Sequence, residues 1–146
     1  MTTIAGIDLS LKQSLHTPPW AYHHRGEVWF VGCCLLLVLG SSLALVPSKA
    51  VVVGAGVFCG GLLGNLLSAS ADDLTVPNPF LIGHPAGIAF NLADVSIVTG
   101  NLLMMTSFCY IVICNRERLR DRNAVRRVFV AHLRRATRSE RLSRRP

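Results

Sequence analysis

Phe90-Asn91-Leu92-Ala93-Asp94 opens an apolar run that continues from 95 to 114 without another charge. About 20 consecutive apolar residues, at about 1.5 Å of helical rise each, cross a hydrocarbon core. The stretch therefore reads as a membrane span whose first turn carries a carboxylate. An ionisable side chain at the mouth of a span is costly unless it has partners, which makes Asp94 a candidate functional residue by default.

Working outward, residues 28–46 and 50–67 are two further runs of spanning length, and neither contains Lys, Arg, Asp or Glu. The chain of 146 residues is 51% hydrophobic with a mean hydropathy of +0.44, which is membrane-like for one small domain. Three such runs folded as soluble core helices would leave little polar surface. The expected architecture is an all-α membrane protein: three transmembrane helices in an antiparallel bundle over 1–114, an outer Pro-rich loop, and a basic tail over 115–146.

Charge orients the bundle. Residues 115–146 carry twelve Arg against Glu117, Asp121 and Glu140, a net +9, while everything before them carries three basic residues against five acids, a net −2. Positive charge beside a span stays cytoplasmic, so the C-terminus is expected inside and residues 68–90 outside. Lys49, in the short turn between the first two spans, then also falls inside. Residues 1–27 lack the basic start and apolar stretch of a signal peptide. The tail from 116 to 142 can form a helix with Val125, Phe129, Leu133 and Ala136 on one face, suited to an anionic inner leaflet. Without interleaved aromatics it does not point to nucleic acid. Membrane lipids are the expected surroundings.

Polar residues cluster by depth. Asn65 lies in the last turn of the second span, and Asn91 and Asp94 in the first turn of the third, all near the outer boundary. One reading is local capping, with Asn91 as N-cap and Asp94 at the third helical position. That reading leaves Asn65 unexplained. Gly56, Gly60 and Gly64 at four-residue spacing, with Gly61 beside them, mark a helix contact in lipid, and Gly61 and Gly64 also leave room next to Asn65. The loop 68–90, with Pro77, Pro79 and Pro85 and the apolar Phe80-Leu81-Ile82, is either a lid over this region or a plain connector. Cys33, Cys34, Cys59, Cys109 and Cys114 all fall within spans and read as small packing residues. His23-His24, with His16 and His84, has no metal-ligand spacing, so neither metal nor cofactor is expected.

At Gly60-Gly61-Leu62-Leu63-Gly64-Asn65 and Phe90-Asn91-Leu92-Ala93-Asp94 the chain resembles signal peptidase II, the lipoprotein signal peptidases of bacterial inner membranes. Asp8-Leu9-Ser10-Leu11-Lys12 is similar to that family's Asp-x-x-(Ser/Thr)-Lys element. The resemblance implies a membrane-embedded aspartyl peptidase that cuts prolipoproteins before a lipidated cysteine. In it two carboxylates hold a water, one charged to activate it and one protonated to donate. Asp94 matches one catalytic acid, and Asn65 and Asn91, with Gly61 and Gly64, match the supporting site. The element that supplies the other acid corresponds to Val76-Pro77-Asn78-Pro79-Phe80, so Asn78 stands where an aspartate is expected. An Asp-Arg pair expected three residues after Asn65 is Ser68-Ala69. The first span of the family is missing, which reads as a shortened member or a late start. Three functions stay open. The chain is a peptidase using Asp94 with Asp73 or Asp72, a lipopeptide-binding module without hydrolysis, or a structural protein in which Asp94 only caps a helix.

Overall fold

The structure, a computed structural model, describes residues 1–83 and 87–117. Helix α1 runs Thr2–Ser14, strand β1 Tyr22–His24, α2 Glu27–Ser42, α3 Lys49–Ala71, β2 Thr75–Pro77, β3 Phe80–Ile82, β4 Ile88–Phe90 and α4 Leu92–Cys114. A 3-10 turn, Leu43–Leu45, extends α2, and Ser48 caps the start of α3 by accepting from the Val51 N–H. Three helices, α2 with its extension, α3 and α4, are long and apolar enough to cross a membrane. The basic tail from 118 onward lies outside the described residues, as do His84, Pro85 and Ala86. A compact unit, Met1–Ser107, contains the polar cluster and the cleft described below, and α4 runs on into a second unit that begins at Phe108.

Burial separates the three spans. In α3, 56% of the apolar window is buried, against 11% in α2 and in α4, so α3 is the inner helix. The outer two expose large apolar side chains, Val38 at 70% and Val98 at 58% among them; such a surface belongs against lipid rather than water. Packing on α3 relies on small residues, because lipid offers no hydrophobic drive for helices to associate. Cys33 of α2 meets Leu62 and Leu66, with Trp29, Leu37 and Ile97 around them. Gly40 of α2 faces Cys59 and Phe58; Gly61 faces the Ala93 carbonyl and Ile97 of α4, and Gly54 faces Gly100 and Met104.

The chain before α2 is structured as well. It holds a helix, α1, which packs lengthwise on α3 with Met1 and Ile4 at Gly60, Asp8 at Gly64, and Lys12 at Asn65 and Ser68. Ala5, Asp8 and Lys12 are its buried positions, spaced three and four apart as one helical face requires. The glycine stripe accordingly has two customers: Gly60 and Gly64 seat α1, while Gly61 seats α4. A Cβ at Gly56 would meet nothing within 4 Å.

The chain is mostly helical, and the segment after α3 adds short strands. Asp73 and Leu74 adopt φ of 43° and 59°, and the Leu74 N–H returns to the Ala69 carbonyl at 2.8 Å. Two left-handed residues in a row end α3 and send the chain back. β2 then pairs antiparallel with β1, and β3 with β4, as two separate two-stranded sheets. Pro77 and Pro79 have no N–H to extend a ladder, which keeps these strands short. Phe80 and Phe90 lie opposite each other, ring centroids 5.6 Å apart. Of the cysteines, all free, Cys33 and Cys59 are buried, but Cys109 and Cys114 are exposed on α4 rather than packed inside.

The glycine contacts set an ordered series. A Cβ at Gly61 would run into backbone, the Ala93 carbonyl, and one at Gly64 would stand 2.8 Å from Asp8 Oδ2. Gly61→Ala should destabilise the protein by about 1–3 kcal/mol, as overpacking does, whereas Gly56→Ala should be neutral or stabilise by up to about 1 kcal/mol. Thermal unfolding in detergent micelles reads the order, and an equal loss at both positions would contradict the assigned contacts.

Candidate functional site

Five elements deliver polar side chains to one end of α3. α1 supplies Asp8 and Lys12, α3 supplies Asn65 and Ser68, the start of α4 supplies Asn91 and Asp94, the β2–β3 link supplies Asn78, and β1 supplies His23. Asp8 and Asn91 are fully buried, Asn78 and Asn65 are 1% and 2% exposed, and Lys12 is 8% exposed. Buried polar groups of this number are tolerable only if they satisfy one another.

They do so as one connected network. Asp8 Oδ2 pairs with Lys12 Nζ at 2.6 Å, one helical turn along α1, while Asp8 Oδ1 accepts from the Ala93 N–H at 2.8 Å. Lys12 Nζ donates to Asn65 Oδ1 at 2.9 Å and to Ser68 Oγ at 3.0 Å. Asn65 Nδ2 donates to Asp94 Oδ1 at 2.9 Å. Asn91 Nδ2 donates to Asn65 Oδ1 at 3.1 Å and to Asn78 Oδ1 at 2.6 Å. Asn78 Nδ2 lies 2.9 Å from His23 Nδ1.

Amide orientations follow from the ends of this network. An ammonium only donates and an ionised carboxylate only accepts, so Asn65 must turn Oδ1 to Lys12 and Nδ2 to Asp94. Asn91 Oδ1 accepts from the Asp94 N–H at 2.9 Å, which turns its Nδ2 toward Asn65 and Asn78. Asn78 is thereby oriented too, and its Nδ2 requires His23 Nδ1 to act as acceptor, with any ring proton on Nε2.

Asp94 does cap α4: its Oδ2 accepts from the Asn91 N–H at 3.2 Å while Asn91 caps in return, the reciprocal arrangement of a capping box. Its Oδ1 does more, tying α4 to Asn65 on α3. Lys12 lies outside the three spanning segments, and its pKa is lowered. Burial is the main cause, opposed by the hydrogen bond and charge of Asp8 and by the charge of Asp94.

Asp94 is half-buried and, with Asn65, lines a cleft of about 340 Å³ between α2 and α4. Trp29, Leu36, Leu62 and Ile97 give it apolar walls, and Arg25 joins the two polar residues on its lining. A second hollow of about 400 Å³, beside Val46, Ser48 and Lys49, holds none of the clustered groups.

Of the residues singled out by sequence, Asp94, Asn65, Asn91 and Asn78 meet. Gly64 lies beneath Asp8, and Gly61 seats the α4 backbone rather than lining the cleft. Asp72 and Asp73 are exposed, and among the described residues none of the cluster's hydrogen bonds reaches them; the Asp73 carbonyl accepts from the Thr75 hydroxyl instead. Asp73 is therefore not brought to Asp94 as a second acid. Sequence reasoning missed His23 and Ser68, and left Asp8 and Lys12 out of the site. The i, i+4 spacing of Asp8 and Lys12 was the available signal.

No family model matches this chain, and the comparisons found no curated protein and no solved structure similar to it. What the fold defines is a membrane-embedded, mostly helical protein with a buried polar cluster at one end of its inner helix.

The ion pair gives a test of the cluster. Removing one partner of a buried pair typically costs about 3–5 kcal/mol, because the other charge is left uncompensated. Asp8→Leu and Lys12→Met should each lower stability by that order, and the double variant Asp8→Leu/Lys12→Met should lose less than the two single losses added. A double-mutant cycle by thermal unfolding measures the difference; strict additivity would show that the two charges are not coupled.

Proposed function

We propose that the chain is a signal peptidase II-like membrane protein that binds a lipid-modified peptide without hydrolysing it. In this reading the three spans form an antiparallel bundle in a bacterial plasma membrane, with the Arg-rich tail cytoplasmic and the polar cluster at the outer face. The acyl chains lie in the cleft between α2 and α4. The adjoining peptide carbonyl or N–H meets Asn65 and Asp94, the polar groups that line it.

One observation carries the non-hydrolytic part. Asp94 is surrounded by amides: Oδ1 accepts from Asn65 and Oδ2 from the Asn91 N–H, and Asn91 passes on to Asn78, an amide again. Aspartyl hydrolysis needs a second carboxyl group to exchange a proton with the first through water. Among the described residues Asp8 is the fully buried carboxylate, and Lys12 and the Ala93 N–H engage it. Asn78 hydrogen-bonds well but carries no proton to give and take at neutral pH. The pure capping alternative accounts for the Asn91–Asp94 exchange but not for the link from Asp94 to Asn65 and Lys12.

Reconstituted wild-type protein should retain a diacylglyceryl-modified signal peptide and release no cleaved product. Asp94→Asn should weaken that retention. Asn78→Asp returns a carboxyl group to the hydrogen-bonded chain, and slow cleavage that depends on Asp94 is the expected gain; general acid–base assistance is typically worth about 10² to 10⁴ in rate. Efficient cleavage by the wild type, lost in Asp94→Asn, would overturn the non-hydrolytic reading.

A further inference from the structure

Arg25 is the charged residue on the cleft that the network does not use. Its backbone N–H donates to the Leu74 carbonyl at 2.8 Å, which pins it to the turn that ends α3. Its guanidinium lies over the Trp29 ring, 5.3 Å from the centroid. Its Nε is buried and without a hydrogen-bond partner. Asp8–Lys12 is the ion pair among the described residues, so no described carboxylate neutralises Arg25. Glu27, two residues on, is exposed, and Asp94, the carboxylate that lines the same cleft, has both oxygens occupied by Asn65 and Asn91.

A buried, unpartnered guanidinium N–H is costly, and the group is shaped to take a phosphate or carboxylate through two donors. Its depth suits such a ligand. Arg25 stands just before α2 begins at Glu27, and Trp29 follows within one turn; Arg and Trp at a span end sit at the level of lipid headgroups. Below them the cleft is walled by Leu36, Leu62 and Ile97. An anion at the mouth and an acyl chain beneath it describe one kind of molecule.

We propose that Arg25 is the headgroup anchor of this cleft and that the cleft takes an anionic membrane phospholipid, with its phosphodiester on the guanidinium and an acyl chain between α2 and α4. This rests on the reading of the cleft as an amphiphile site and adds a headgroup preference that a neutral diacylglyceryl group does not require. The phospholipid fills the cleft until a lipid-modified peptide displaces it.

Trp29 reports on this directly. The chain has two tryptophans, and Trp20→Phe leaves Trp29 as the sole emitter inside the cleft. The protein, in vesicles, is titrated with phosphatidylglycerol or phosphatidylcholine bearing dibrominated acyl chains, whose bromines quench indole on contact. Quenching should favour phosphatidylglycerol by about fivefold in apparent affinity, the worth of one basic residue at a lipid surface. Arg25→Gln should remove that fivefold share, and Arg25→Lys should keep part of it. The basic tail is identical in all three proteins, so general attraction of anionic lipid cancels. Equal quenching by both lipids in the wild type, or a preference of the same size in Arg25→Gln, overturns the proposal. Unlabelled lipidated peptide is then added: relief of quenching supports displacement, and relief without any headgroup preference would leave peptide binding standing while Arg25 loses its role. A headgroup preference with no relief would do the reverse.

Discussion

The Lys12 ammonium sets the direction of every hydrogen bond around it. Because it can only donate, Asn65 must offer its oxygen to α1 and its nitrogen to Asp94, and the orientations of Asn91 and Asn78 follow in turn. A cluster of amides alone would have several nearly equivalent arrangements. One fixed charge at one end and one carboxylate at the other leave a single one. The cost is a charge held out of water, which Asp8 offsets at 2.6 Å. The pair is less a source of stability than of specificity, in that it selects one register of α1 against α3.

That register depends on absent side chains. Gly60 and Gly64 bring the α1 backbone and the Asp8 carboxylate close to α3, and Gly61, on a neighbouring face, admits the first turn of α4. The first turn of α4 is where Ala93 gives its N–H to Asp8 and where Asn91 and Asp94 exchange caps. Glycines that read in sequence as generic packing residues thus decide how near the two carboxylate-bearing helices come to one another. Each lost Cβ costs helix propensity and is offset by the polar contacts it permits.

The small sheets complete the enclosure. Pairing of Tyr22–His24 with Thr75–Pro77 carries His23 to Asn78 and Arg25 to the Leu74 carbonyl. The same short ladder therefore closes the far end of the amide network and sets the cation at the mouth of the cleft. Asp94 is left as the half-buried member, in contact with the network behind it and with the cleft in front.

The three spans, the polar residues at one depth, and the prominence of Asp94 were all legible from residue order, because hydropathy and helical rise are local quantities that survive without a partner. Asn78 was singled out only by the resemblance to signal peptidase II, not by any local pattern. Three things could not be read that way. Residues 2–14 lack the length to signal a span, and their helix is defined by burial against Gly60 and Gly64. The strands of three residues are too short for a period-two pattern, and β1 and β2 exist because residues more than fifty apart lie side by side. Asp73 is near Asn65 in sequence yet exposed, because two left-handed residues turn the chain at that point. Sequence determined which side chains gather at one end of the spans; the tertiary structure decided which of them touch, since a hydrogen bond depends on angle and distance across elements that no local pattern records.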